Sequence, residues 1–258
     1  MSRPLVALRK QTRATRAAAA AIGAAAILVV WQCAGLAAPA GSVPSFTDTV
    51  TALFTPNAAT VIALAISVTL PRAAIGFVFG VIIGTLLALV PVFLQSTAAT
   101  INRSAALLNA LPVLVMAPIL VSILGVDIVP VFMAALAAFF AIFVTLSSAF
   151  SRPPHTPSEY FRATGSGKWS MFTLLRGPAA TPALFQGLTL AAGGALGGAM
   201  FGEWFGTSTG LGVLLLSSVR NYQTDLLWAT ALCVTLLTIC AYLAFSGLHL
   251  IVARRFSE

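Results

Sequence analysis

The sequence predicts an all-α, polytopic membrane protein: six transmembrane helices with both termini in the cytoplasm. Three observations predict it. First, 59% of the 258 residues are hydrophobic and only 8% are charged. A soluble domain carries about 25% charge, so this chain cannot coat a globule in water. Second, six segments free of Asp, Glu, Lys and Arg cover residues 17–36, 73–94, 104–124, 129–150, 183–202 and 226–252. Each is close to the ~20 residues a helix needs to cross a bilayer. Third, with the N-terminus inside, twelve of the fourteen basic residues fall on the cytoplasmic side. Only Arg72 and Arg220 fall outside. That bias fixes the orientation.

The same arithmetic excludes other classes. A net charge of +8 in a soluble protein suggests nucleic acid, but here the charge sits between apolar runs and reports orientation. No nucleic-acid partner is expected. Cys33, Cys233 and Cys240 lie in apolar runs with no CxxC pair, so they read as small apolar residues. His155 and His249 are far apart and form no metal cluster with Cys, Asp or Glu. No metal site and no catalytic residue is expected.

Taken in order, residues 1–16 form a basic cytoplasmic tail and 17–258 a single transmembrane domain. The first span follows five basic residues and precedes Ala38-Pro39-Ala40, as in a secretory signal. Its apolar run exceeds the usual ~7–15 residues of such a signal, so a retained helix is expected. Residues 37–66 contain Pro39, Pro44 and Pro56 and are expected to lie, interrupted, on the outer surface. Span two carries Gly76, Gly80 and Gly84 on one face. Small residues at that spacing let helix backbones approach closely. Pro112 and Pro118 interrupt span three. Span five carries overlapping stripes through Gly193, Gly194, Gly197, Gly198 and Gly202. The apolar run 211–219 is too short to cross and reads as an interfacial or re-entrant helix.

Arg72 and Glu203 are the charges nearest the membrane interior. Two readings stand for them: a functional site at membrane depth, or snorkelling at the outer ends of their helices.

The most informative segment is the inside loop 151–182, SRPPHTPSEYFRATGSGKWSMFTLLRGPAATP. A plain helix connection takes about 2–8 residues. Pro153, Pro154 and Pro157 end the preceding helix, and Ser158 with Glu159 offers a cap and an acidic first turn. A short helix over 159–164 is broken by Gly165-Ser166-Gly167. A second short helix is expected over 168–176, with Trp169 and Phe172 anchoring it at the interface. Pro178 and Pro182 then lead into span five. Gly165-Ser166-Gly167-Lys168 is no phosphate loop, since no strand precedes it and Trp169 stands where Ser or Thr is needed. An ordered, charged loop of this kind suggests docking to a soluble partner.

These residues resemble the EAA loop of permease subunits in bacterial binding-protein-dependent ABC importers. That pattern is Glu-Ala-Ala, three residues, Gly, nine residues, Ile-x-Leu-Pro. Here it reads Glu159-Tyr160-Phe161, three residues, Gly165, nine residues, Leu175-Arg176-Gly177-Pro178. Arg72 with Gly76-Phe77, Pro112 with Ala117-Pro118, Glu203 with Gly210-Leu211-Gly212, and Arg254-Arg255 resemble the nitrate/sulfonate/taurine subgroup. The likeness runs over about residues 60–256.

The resemblance implies a type I importer permease in the bacterial inner membrane, without an ATPase site of its own. It implies a second permease copy as a homodimer, two cytoplasmic ABC ATPases and an extracytoplasmic substrate-binding protein. ATP and Mg would be bound by the ATPases, and no cofactor by this chain. ATPase coupling would involve Glu159, Tyr160, Phe161, Arg162, Gly165, Lys168 and Pro178. Asn109, Thr145, Ser148, Gln186 and Thr189 are candidates for the translocation pathway, or else interhelical hydrogen bonds. Arg72 and Glu203 are candidates for an outer gate or interface. The alternative is a secondary transporter driven by an ion gradient. It would need intramembrane Asp, Glu or His as coupling sites, and the spans offer only His249.

Overall fold

The computed structural model describes residues 3–39, 42–110, 113–151, 165 and 167–255. Among these residues the regular structure is helical: α1 (Arg3–Ala37), α2 (Phe46–Leu53), α3 (Pro56–Phe93), a 3-10 turn (Gln95–Thr97), α4 (Ala98–Ala110), α5 (Val113–Leu124), α6 (Val129–Ser151), α7 (Lys168–Met171), a π turn (Phe172–Arg176), α8 (Gly177–Glu203), α9 (Leu211–Arg220) and α10 (Thr224–Arg255). Five helical segments are long and apolar enough to cross a membrane, within α1, α3, α6, α7–α8 and α10.

The core is α6, packed between α3 and α8. Its inward positions Met133, Ala134, Ala138, Ile142, Phe143 and Leu146 are buried. Both neighbours meet it with glycine. A Cβ on Gly76 or Gly80 of α3 would run into Ala134, Ala135 or Ala138. One on Gly198 or Gly202 of α8 would run into the backbone at Met133 or Pro130. These stripes therefore serve packing within the chain. Without a hydrophobic drive between helices in lipid, close backbone contact and dispersion hold such a bundle. Gly197 points elsewhere, with nothing near its Cβ position.

Three expectations are corrected in detail. Residues 37–66 are not interrupted throughout: α3 starts at Pro56 and runs 38 residues, carrying Pro71 and Pro91 inside it. Pro56 occupies the first turn, where no N–H is needed and its fixed φ suits a helix. Arg72 therefore lies inside a helix, not at its end. Second, the helix expected over 168–176 is not separate from span five. α7, the π turn and α8 run on as one 36-residue segment, Lys168–Glu203. The Gly177 N–H donates to the Phe172 carbonyl, five residues back. That wider turn precedes Pro178, which has no N–H to continue the α ladder. Third, residues 104–124, expected as one span, are divided between two helices, α4 and α5, on either side of 111–112, and neither is among the five segments long and apolar enough to cross.

The two ends of the bundle differ. At one end α4 begins beside the end of α6, where Ser147 Oγ donates to Asn102 Oδ1 (3.0 Å). At the other, α5 finishes beside the start of α6: Ala117, Leu120, Val121 and Leu124 pack with Val129, Met133 and Phe205. Trp31 of α1 stacks near Phe46 and Trp228, with centroids 5.4 and 5.5 Å away, and joins α1, α2 and α10 at that second end. Between residues 18 and 30, α1 is exposed along its whole length.

Candidate functional site

The site with the most developed geometry is a buried polar cluster where α3, α8 and α9 meet. Glu203 ends α8 and is 1% exposed. Its carboxylate accepts from Thr69 Oγ1 (2.9 and 3.0 Å to the two oxygens), from Arg72 Nη1 (3.1 Å) and from the Gly212 N–H (2.9 Å). Arg72 Nη1 also donates to the Thr209 carbonyl (3.0 Å). Thr69 accepts from the Leu211 N–H (2.7 Å). The first two N–H groups of α9, orphaned by helix geometry, are thus satisfied by a hydroxyl and a carboxylate.

Electrostatics explains the arrangement. A carboxylate at the end of its own helix faces the negative pole of that helix. The guanidinium of Arg72 and the positive pole of α9 offset this from the other side. Gly210 opens α9 with φ 138°. That backbone conformation is open to glycine and closed to most side chains. A Cβ there would also overlap the Glu203 carboxyl group.

Both charges singled out from the sequence, Arg72 and Glu203, are therefore brought together. Thr69 was not singled out as a site residue. Its available signal was its place one helical turn before Arg72, which puts both on one face of α3.

The opposite end of α8 carries the loop. Gly165 forms a turn with φ 69°, as its position after the first expected loop helix suggests. Lys168 Nζ donates to the Phe93 carbonyl (2.8 Å), capping the end of α3. Trp169 and Phe172 pack on Phe93 (5.9 and 5.5 Å between centroids), and Phe172 also lies 6.1 Å from Phe150 of α6. The loop's second half is thereby tied to the ends of α3 and α6. Glu159, Tyr160, Phe161, Arg162, His155 and Pro112 lie outside the described residues.

Four of the pathway candidates lie on two adjoining helices, Thr145 and Ser148 on α6 and Gln186 and Thr189 on α8. Thr145 Oγ1 donates to Ala141 O (2.8 Å) and Thr189 Oγ1 to Phe185 O (2.8 Å), each within its own helix. Gly187 of α8 sits against Thr145. Ser148 and Gln186 are exposed. Asn109 falls in α4, with its side chain outside the described set.

The sequence profile of the binding-protein-dependent transport system inner membrane components matches residues 80–258. A probable ABC transporter permease protein of Haemophilus influenzae is 27% identical over 182 residues, covering 70% of this chain and 74% of that protein. The putative aliphatic sulfonates transport permease protein SsuC of Bacillus subtilis is 25% identical over 166 residues, covering 64% of this chain and 60% of its own length. Two inward-facing structures of the MetNI methionine ABC transporter superpose with TM-scores of 0.65 and 0.60 at 19% and 18% identity. They cover 77% and 75% of this chain and 99% and 95% of their own. At that identity the likeness is one of fold.

Proposed function

The chain belongs to the family of binding-protein-dependent transport system inner membrane components, as a multi-pass permease of the ABC importer type, and from that premise we propose how it assembles and works. It is the permease subunit of an ATP-driven importer for a small solute, in the bacterial inner membrane. Two copies form a homodimer, each docking one cytoplasmic ABC ATPase, and an extracytoplasmic binding protein delivers the solute. The fit to the nitrate/sulfonate/taurine subgroup rests on the motifs quoted above. Arg72, the one basic residue inside α3, is engaged by Glu203 and the Thr209 carbonyl, which favours a neutral or zwitterionic solute, or selectivity residing in the binding protein.

Six crossings with both termini inside remain the preferred topology. α4 starts at the Ser147 end of α6 and α5 finishes at its Val129 end, so the pair covers the same depth as α6. Broken helices of this kind are tolerated in membranes where neighbours or a cavity satisfy the freed backbone groups.

The observation that carries the mechanism is the unbroken segment Lys168–Glu203. Its inner end begins just after the Gly165 turn, and its outer end is the Glu203 carboxylate. At ~1.5 Å per residue it is a rod of roughly 54 Å. Force delivered by an ATPase to Glu159, Tyr160, Phe161 and Arg162 would pass through Gly165 to Lys168 and Pro178, and along α8. Switching requires that the ATPase bind two arrangements of this rod with different affinity.

The test is a pull-down of the tagged chain in mild detergent, with ATPase activity measured on the eluate and uptake measured after reconstitution. The native chain is expected to bring down an ATPase whose hydrolysis drives uptake. Glu159→Arg and Gly165→Pro should lose the partner or uncouple it. A chain that purifies alone, and moves solute only along an imposed ion gradient, would be a secondary transporter.

A further inference from the structure

The cluster around Glu203 has a mechanical consequence. The carboxylate has three donors from two other elements, and the Thr69 hydroxyl both donates to it and accepts from α9. Thr69 is 0% exposed and Glu203 1%. Any opening between α3 and α9 would strand a buried carboxylate or an N–H without a partner. Gly212 closes the third side, because a Cβ there would strike the Met200 carbonyl of α8. Partial separation of α9 from either helix thus costs these groups the partners they have here.

We propose that the outer ends of α3, α8 and α9 form one rigid body throughout the transport cycle, with Thr69 as the positioning residue that closes it. α9 is then not an independent lid. Movement on the outer side occurs by displacement of the whole body. The inference rests on the permease reading for its cycle, while the rigidity itself belongs to this chain alone.

The test uses the full chain in lipid nanodiscs, with Cys33, Cys233 and Cys240 replaced by Ser. Spin labels are placed on Ser67→Cys in α3 and Val219→Cys in α9 of a minor tagged copy assembled with an excess of unlabelled cysteine-free copies, so that only the pair within one chain contributes, and its distance distribution is recorded by pulsed dipolar spectroscopy. One narrow distance is expected, unchanged when the co-purified ATPase is trapped with ATP and vanadate. Thr69→Val, which removes the hydroxyl at nearly constant shape, should broaden or split the distribution, and Thr69→Ser should restore it. A broad native distribution overturns the proposal. So does a shift on trapping of about one helical turn, ~5.4 Å, or a Thr69→Val distribution as narrow as the native one. If Thr69→Val does not fold, the native distance still decides. Failure of the permease reading appears separately, as no co-purifying ATPase and no ATP-dependent uptake. The native and Thr69→Val distributions in the chain alone decide rigidity in that case too.

Discussion

Glu203 and Arg72 lie 131 residues apart in the chain and 3.1 Å apart in space. The pair is asymmetric: the Glu203 side chain is 0% exposed and that of Arg72 18%. The carboxylate therefore depends on protein donors, while the guanidinium keeps some access to water and to the Thr209 carbonyl.

From this asymmetry, the two partners should respond unequally to removal, and their losses should be coupled. Arg72→Met leaves a buried carboxylate short of its cation and should lower the melting temperature in detergent. The loss should fall below the about 3–5 kcal/mol of a fully buried broken pair, since Thr69 and the Gly212 N–H still donate to the carboxylate. Glu203→Gln keeps the shape and an acceptor, and should be milder than Glu203→Ala. The double variant Arg72→Met/Glu203→Met should be less damaging than the sum of its singles, as read in a double-mutant cycle by fluorescence-detected thermal melts.

Glycine packing gives a matched pair. Gly80→Ala drives a methyl into the backbone of α6 at Ala135 and should destabilise by about 1–3 kcal/mol. Gly197→Ala enters open space and should leave the melt of the chain unchanged. Equal melts for the two variants would remove Gly80 from the α3–α6 contact.

Lys168, though exposed, caps α3 through the Phe93 carbonyl, so its ammonium is engaged by this chain's own helix end. Lys168→Met should keep the ATPase bound in a pull-down yet lower the solute moved per ATP hydrolysed. Loss of the ATPase itself would instead make Lys168 a direct docking residue.

The six-crossing topology predicts a labelling pattern. In a cysteine-free background, single cysteines at Ser2 and Ser257 should react in intact cells only with a membrane-permeant maleimide. One at Ser42 should react with the impermeant reagent as well. Impermeant labelling at one terminus and not the other gives an odd number of crossings.

Much of this architecture is written locally in the sequence. Residues 129–150 carry no charge and are mostly apolar, and α6 occupies Val129–Ser151. The run 211–219 is apolar but short, and α9 occupies Leu211–Arg220. The glycine spacings of α3 and α8 already state that backbones will approach closely, because a stripe on one helix face follows from the helical repeat alone. Composition and charge placement fixed the class of molecule in the same way.

What the sequence left open was decided by partners distant in the chain. The start of α3 at Pro56 and the π turn at Phe172–Arg176 depend on how proline is accommodated, which neighbouring turns determine. Whether Arg72 and Glu203 form a site or snorkel separately was undecidable from either helix by itself. Thr69 looked like one more polar residue in an apolar run. Only when α8 ends beside α3, and α9 turns its first N–H groups toward both, does a buried carboxylate require a hydroxyl and a guanidinium at those positions. Apolar burial is a property each segment carries with it. The pairing of buried polar groups is a property of the packed molecule, since every donor and acceptor removed from water must find its match wherever the fold brings one.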